Sequence, residues 1–144
     1  MSGQSGTSDS RKILFVTISG TTRREAKPPM VSTEITVSHS DIPTIYIGRA
    51  KTRYTRQIVF DFSALTEEFG SGEFILLYSR PGESTNRPET EMTVPLEITG
   101  NTAVWNISDF DTEHTGCGEG EIIFRNALCC WKSNVFPVSV NRSI

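Results

Sequence analysis

Gln57-Ile58-Val59-Phe60-Asp61-Phe62 is the stretch on which the fold turns. Ile58, Phe60 and Phe62 recur at every second residue, which places them on one face of a half-buried strand and not on a helical stripe. Directly downstream, Ser63-Ala64-Leu65-Thr66-Glu67-Glu68-Phe69 is the one convincing helical segment, with Ser63 expected as its cap and Gly70 and Gly72 as its stop. Beyond it the run Phe74-Ile75-Leu76-Leu77-Tyr78 predicts an apolar strand over 73–80, closed by a Pro81-Gly82 turn.

Moving outward, Val31, Thr33, Ile35 and Val37 share one face of a strand over 31–37. A strand over 45–50 follows, joined to 57–62 by the polar connector Lys51-Thr52-Arg53-Tyr54-Thr55-Arg56. On the other side, Met92, Val94, Leu96 and Ile98 alternate over 91–99, and Pro95 inside that run marks an edge strand or a bulge, because proline donates no ladder bond. Gly100-Asn101 makes a tight connection to a strand over 102–107 anchored by Val104 and Trp105. The polar segment 109–116 reads as a single helical turn, and 119–126, 128–132 and 135–140 read as three closing strands. At the opposite end, Ile13-Leu14-Phe15-Val16-Thr17-Ile18-Ser19 is a further strand followed by a loop over 20–29, and residues 1–10 read as a flexible polar terminus.

Composition supports the same class. Val, Ile and Thr total 39 of the 144 residues against 11 Ala and Leu, a bias toward side chains that pack well on a pleated surface. The expectation from the residues is an all-β, two-sheet antiparallel β-sandwich with one short helix near 63–69, which the resemblance described below makes immunoglobulin-like. Residues 1–10 form its flexible terminus, 11–30 a first strand and loop that are a candidate attachment arm, and 31–144 the sandwich domain. A chain of this length buries about 70% of its unfolded surface in a single core.

The 14 basic and 17 acidic residues leave a net charge of −3, which argues against a nucleic-acid scavenger. No apolar run approaches the ~18 residues of a membrane-spanning helix, and no signal-peptide core is visible. Three cysteines, two of them adjacent, do not make a secreted disulfide framework. A soluble domain from a reducing compartment, without membrane or nucleic acid as partner, is therefore expected.

Candidate chemistry is sparse. His114, Cys117, Cys129 and Cys130 include ligand types that zinc favours, but they lack a C-x-x-C pair, and Cys129 and Cys130 would point to opposite faces of a strand. Cys117, in Gly116-Cys117-Gly118, would sit on an exposed turn, yet neither His39 nor His114 comes with a third group to complete a nucleophilic constellation. Asp109-Phe110-Asp111-Thr112-Glu113 has the alternate spacing of a calcium loop without its glycine or its late glutamate. No catalytic, cofactor or metal site is expected. The binding candidates are Tyr46, Arg49, Arg53 and Tyr54. Arg49, Lys51 and Arg53 would share one face if the 45–50 strand continued, with Arg56 close by and Tyr46 and Tyr54 adjacent. Basic residues interleaved with aromatics are what a single-stranded nucleic-acid groove or an anionic glycan would need. The alternative is a solvated hairpin whose arginines pair with acidic neighbours.

From Tyr46 onward, a particular order of segments emerges. Ile47-Gly48-Arg49-Ala50, then Ile58 to Ser63 and a short helix, then 74–78 before Arg80-Pro81-Gly82, the Trp105 strand, the 111–120 segment and Trp131-Lys132-Ser133-Asn134-Val135-Phe136-Pro137-Val138 follow one another. This series resembles the immunoglobulin-like N-terminal domain of baseplate upper and tail-fibre proteins in phages of Gram-positive bacteria, a module that also occurs in head-decoration and head-fibre proteins. The resemblance implies a non-enzymatic virion structural protein, assembled in the host cytoplasm, that contacts other virion proteins and self-associates, with a trimer as one form. In fibre proteins a long helical stalk typically follows the module, whereas this sequence ends at Ile144, and the 13–29 segment has no counterpart there. The rival reading is a carbohydrate-binding host-adhesion module with Tyr46, Tyr54 or Trp131 as stacking platforms beside Arg49 and Arg53.

Overall fold

The computed structural model describes residues 30–143. The expected strand at 13–19, the loop at 20–29 and most of the candidate arm lie outside the described residues. Nine strands and two short helices follow in order: β1 (Val31–Thr36), β2 (Ile45–Arg49), β3 (Arg56–Asp61), α1 (Ser63–Phe69), β4 (Glu73–Ser79), α2 (Glu89–Met92), β5 (Glu97–Thr99), β6 (Thr102–Asn106), β7 (Gly116–Arg125), β8 (Cys130–Lys132) and β9 (Phe136–Asn141). They form an all-β sandwich of two sheets, ordered β1-β3-β6-β5 and β2-β9-β7-β4, with β8 also on β7.

The pairing departs from the antiparallel expectation, because each sheet is mixed. β1 runs parallel to β3, with Val31 opposite Arg56 and Thr36 opposite Asp61, and β2 runs parallel to β9. The remaining pairings are antiparallel. Strand direction is a nonlocal property: the alternation of Val31, Thr33 and Ile35 is the same whichever way the neighbour runs.

The core lies between the sheets. Ile58, Phe60 and Phe62 are buried from β3 and its exit, and Phe74, Leu76 and Tyr78 meet them from β4. Phe62 stacks on Phe74 with ring centroids 4.7 Å apart, and Tyr78 packs at 5.2 Å against Trp105. Gly120 on β7 lies opposite Phe136, whose ring occupies the space a β-carbon would need. Gly48, at φ 122°, carries the register shift between Tyr46 and Gly48 in β2, a conformation unfavourable for any residue with a side chain.

β4 is apolar on both faces for a reason that the sequence run does not reveal. Ile75 and Leu77 point away from the main core and form a second cluster with Ile123, and Met92 packs against it. The expected continuous strand over 91–99 is therefore broken. Met92 ends α2 and serves the outer cluster, Thr93 bridges Leu77, Val94 enters the main core, and only Glu97–Thr99 is strand. An apparent period of two here arises because Met92 serves the outer cluster while Val94 and Leu96 serve the main core and Ile98 is exposed.

Smaller expectations also shift. Ser63 does not cap α1; the Asp61 carboxylate accepts hydrogen bonds from the Ser63 backbone N–H (3.0 Å) and hydroxyl (2.8 Å). Those bonds hold the Asp61 carboxyl below its ordinary pKa. Residues 109–112 form hydrogen-bonded turns without a helix, Gly116 already opens β7, and Cys117, expected on a turn, is inside β7 opposite Ser139. β8 begins only at Cys130, so Cys129 belongs to the preceding turn, and neither thiol is buried.

Candidate functional site

The connector after β2 decides the fate of the four binding candidates. Thr52 donates from its N–H (3.4 Å) and Oγ1 (2.7 Å) to the Arg49 carbonyl, and Lys51 adopts φ 65°. The strand therefore stops at Arg49, and the face expected to carry Arg49, Lys51 and Arg53 together is not formed. Tyr46 is half-buried on β2, and its ring is already covered by the Arg56 guanidinium, 4.6 Å from the ring centroid. Arg49 is exposed at the strand end, and Arg53 reaches Asp109 at 4.0 Å. Tyr54, at φ 57°, is pinned by its N–H to the Ile107 carbonyl (2.8 Å) and leaves half its surface, 51%, in solvent.

Of the four, Tyr54 alone lines a groove of about 570 Å³ shared with Tyr78, Arg80, Arg87, Glu91, Trp105 and Phe110. The floor of this groove is a polar knot. Asp111 is buried and its Oδ2 accepts from Trp105 Nε1–H (3.1 Å), the Ser108 N–H (2.9 Å) and the Ser108 hydroxyl (3.0 Å). Tyr78 donates its hydroxyl to the Asp111 carbonyl at 2.9 Å. Burial pushes the Tyr78 phenol well above its ordinary pKa, and the Asp111 charge adds to the effect. The phenol is a fixed donor, not a base.

Arg80 closes the wall. Its guanidinium bonds Glu83 through Nε (2.9 Å) and Nη2 (2.5 Å), and Glu113 through Nη1 (2.5 Å), while lying 3.9 Å over the Phe110 ring. Bonding to Arg80 first, and proximity to Arg87 last, hold the Glu83 carboxyl below its ordinary range despite partial burial. A guanidinium engaged by two carboxylates and an aromatic face is structural; it has little left to offer an anionic ligand.

The spaced carboxylates at 109, 111 and 113 thus diverge. Asp109 meets Arg53, Asp111 turns inward to Trp105, and Glu113 meets Arg80. Among the described residues no three His, Cys, Asp or Glu side chains converge on a common point to hold a metal ion. His39 bonds Glu68 at 2.6 Å and meets Phe69 and Trp131 edge-on, while His114 borders a separate groove with Glu113 and Lys51. Trp131, one of the expected stacking platforms, packs its ring against the main core. The Trp105–Ser108–Asp111 knot escaped sequence reading because a buried carboxylate looks like any surface acid until its partners are known. Its one sequence signal was Ser108, three residues before Asp111.

The other distinctive surface is a sheet edge. Among the described residues the edge of β4 is covered: Val94 N–H donates to the Leu76 carbonyl (2.9 Å) and Thr93 bridges Leu77. β1 has no partner on its outer side among the described residues, and its residues are exposed or half-buried along the whole strand. An open edge presents a row of backbone donors and acceptors to any incoming strand.

Compared with protein-family models and with curated proteins, the chain matches none.

Proposed function

We propose that the protein is a non-enzymatic structural component of a bacteriophage virion, a β-sandwich module that joins its neighbours in the tail, baseplate, fibre or capsid by strand addition at β1. The observation that carries this reading is the outer edge of β1, which has no partner among the described residues, on a sandwich whose β4 edge is closed by its own chain. Main-chain pairing at such an edge supplies affinity, and the alternate side chains supply register. The sequence resemblance over 46–144 supplies the virion setting. The test is mass spectrometry of particles purified from the phage that encodes the chain. The protein is expected at a fixed copy number per particle, and a Glu34→Pro substitution, which removes an edge donor, is expected to lower its incorporation. Particles that lack the protein overturn the reading.

A second reading, a carbohydrate-binding host-adhesion module, draws on one specific observation: the exposed Tyr54 and Phe110 rings border the same groove as Glu91, Glu97 and Asn106. Aromatic faces stack on sugar C–H surfaces while amides and carboxylates take the hydroxyls. Binding on an oligosaccharide array that disappears in Tyr54→Ala supports it. A blank array removes it.

A further inference from the structure

We infer that β1 pairs antiparallel with β1 of a second copy of this chain, about a twofold axis at Thr33. The inference rests on the reading of β1 as the attachment edge and names its partner.

Val31 N–H donates to the Thr55 carbonyl (3.0 Å), and Val37 N–H, just past the strand, donates to the Asp61 carbonyl (2.8 Å). In a parallel ladder successive residues bond to alternate sides. Residues 31, 33, 35 and 37 therefore bond β3, and the N–H and C=O groups of Ser32, Glu34 and Thr36 point to the outer side, where β1 has no partner among the described residues. A twofold axis perpendicular to the sheet keeps each residue on its own face, so only registers that oppose like-numbered parities are allowed. Two of these centre on the strand.

With Glu34 opposite Glu34, two carboxylates face each other directly, which is destabilising. With Thr33 opposite Thr33, every cross-strand pair is compatible. Ser32 and Glu34 exchange backbone bonds in both directions, and a hydroxyl faces each carboxylate. Val31 meets Ile35 twice and Thr33 meets Thr33 at the non-hydrogen-bonded positions, where side chains approach most closely. Val31 is 53% exposed and Ile35 half-buried at the margin of the main core, so the partner's Ile35 covers the apolar residue that this edge otherwise leaves in water. The β1-β3-β6-β5 sheets of the two copies become one continuous sheet.

The test uses the full chain with Cys117, Cys129 and Cys130 replaced by serine, since none of the three is buried. Light scattering over a concentration series is expected to give twice the 16.0 kDa chain mass at the upper end. Under mild oxidation a Thr33→Cys variant is expected to form a covalent dimer at least about tenfold faster than a Glu34→Cys variant, because the 33–33 pair alone brings two β-carbons close enough for a disulfide. Glu34→Pro, which removes an outward donor, is expected to weaken dimerisation at least about tenfold.

A monomer at every concentration, a trimer, or equal cross-linking at positions 33 and 34 overturns the inference. A monomer that still enters particles in a β1-dependent way overturns the dimer and leaves the attachment reading standing. A dimer cross-linked at 33 but missing from particles does the reverse.

Discussion

β4 and β1 are both edge strands, and the chain finishes them in opposite ways. The segment from Arg80 to Leu96 folds back over β4: Ser79 Oγ lies within hydrogen-bond reach of the Glu83 (3.4 Å) and Ser84 (3.3 Å) carbonyls, Met92 sits on Ile75 and Leu77, and Val94 bonds Leu76. Arg80, Glu83 and Arg87 hold that segment in place. β1 receives no such cover among the described residues, and its side chains alternate between the core margin and water. The difference teaches that an edge is a choice made by the rest of the chain. β4 is apolar on both faces and would be an aggregation hazard if left open, whereas β1 carries Ser32, Glu34 and Thr36 outward and is tolerable in solution until a matching strand arrives.

The sharpest way to test the contrast is to truncate one core-facing residue on each strand. Leu76→Ala is expected to cost about 2–5 kcal/mol in urea denaturation, as for a fully buried leucine, while Ile35→Ala costs about 1 kcal/mol because its side chain is only half-buried. Equal losses would mean that β1 is as integral to the core as β4. Proline substitutions break the comparison at the backbone. Val94→Pro removes the donor to Leu76 and is expected to destabilise by at least about 1 kcal/mol and to promote aggregation on heating. Glu34→Pro removes an N–H that bonds nothing within the described chain and is expected to leave monomer stability within about 1 kcal/mol of wild type.

Acid should loosen the covered edge. The Glu83 carboxyl is held below its ordinary value of 4.5 chiefly by Arg80, so its stabilising contribution is fully present above that value and is lost as pH falls through the lowered one. The stability gap between wild type and Glu83→Gln is expected at neutral pH and should close in acid. A gap that persists unchanged at pH 3 would show that Glu83 acts through packing and not through its charge. The finest effect is in amide exchange. Ser32, Glu34 and Thr36 are expected to exchange quickly in dilute protein and to gain protection as concentration rises, while Val94 stays protected throughout.

Much of this was legible beforehand. Helix 63–69, the strands around 31–37, 45–50, 57–62, 73–80 and 102–107, and the inward face of Ile58, Phe60 and Phe62 follow from local period and turn residues. The binding candidates fared less well: Tyr54 lines a groove, but Arg56 covers Tyr46 and a turn with positive φ at Lys51 separates Arg49 from Arg53. Charge and aromatic spacing register which residues are near in sequence, and a turn rearranges what they face.

By itself, then, the sequence determined the all-β class, the position of the one substantial helix and the residues of the main core, because β-branched bias and a two-residue period act within a few bonds. Only the tertiary structure decided that β1 runs parallel to β3 and β2 parallel to β9, that the 91–99 run splits between two apolar clusters, and that Asp109, Asp111 and Glu113 part to three different partners. Each of those outcomes depends on a group tens of residues away or on the direction in which a neighbouring strand runs, and no local pattern carries that information.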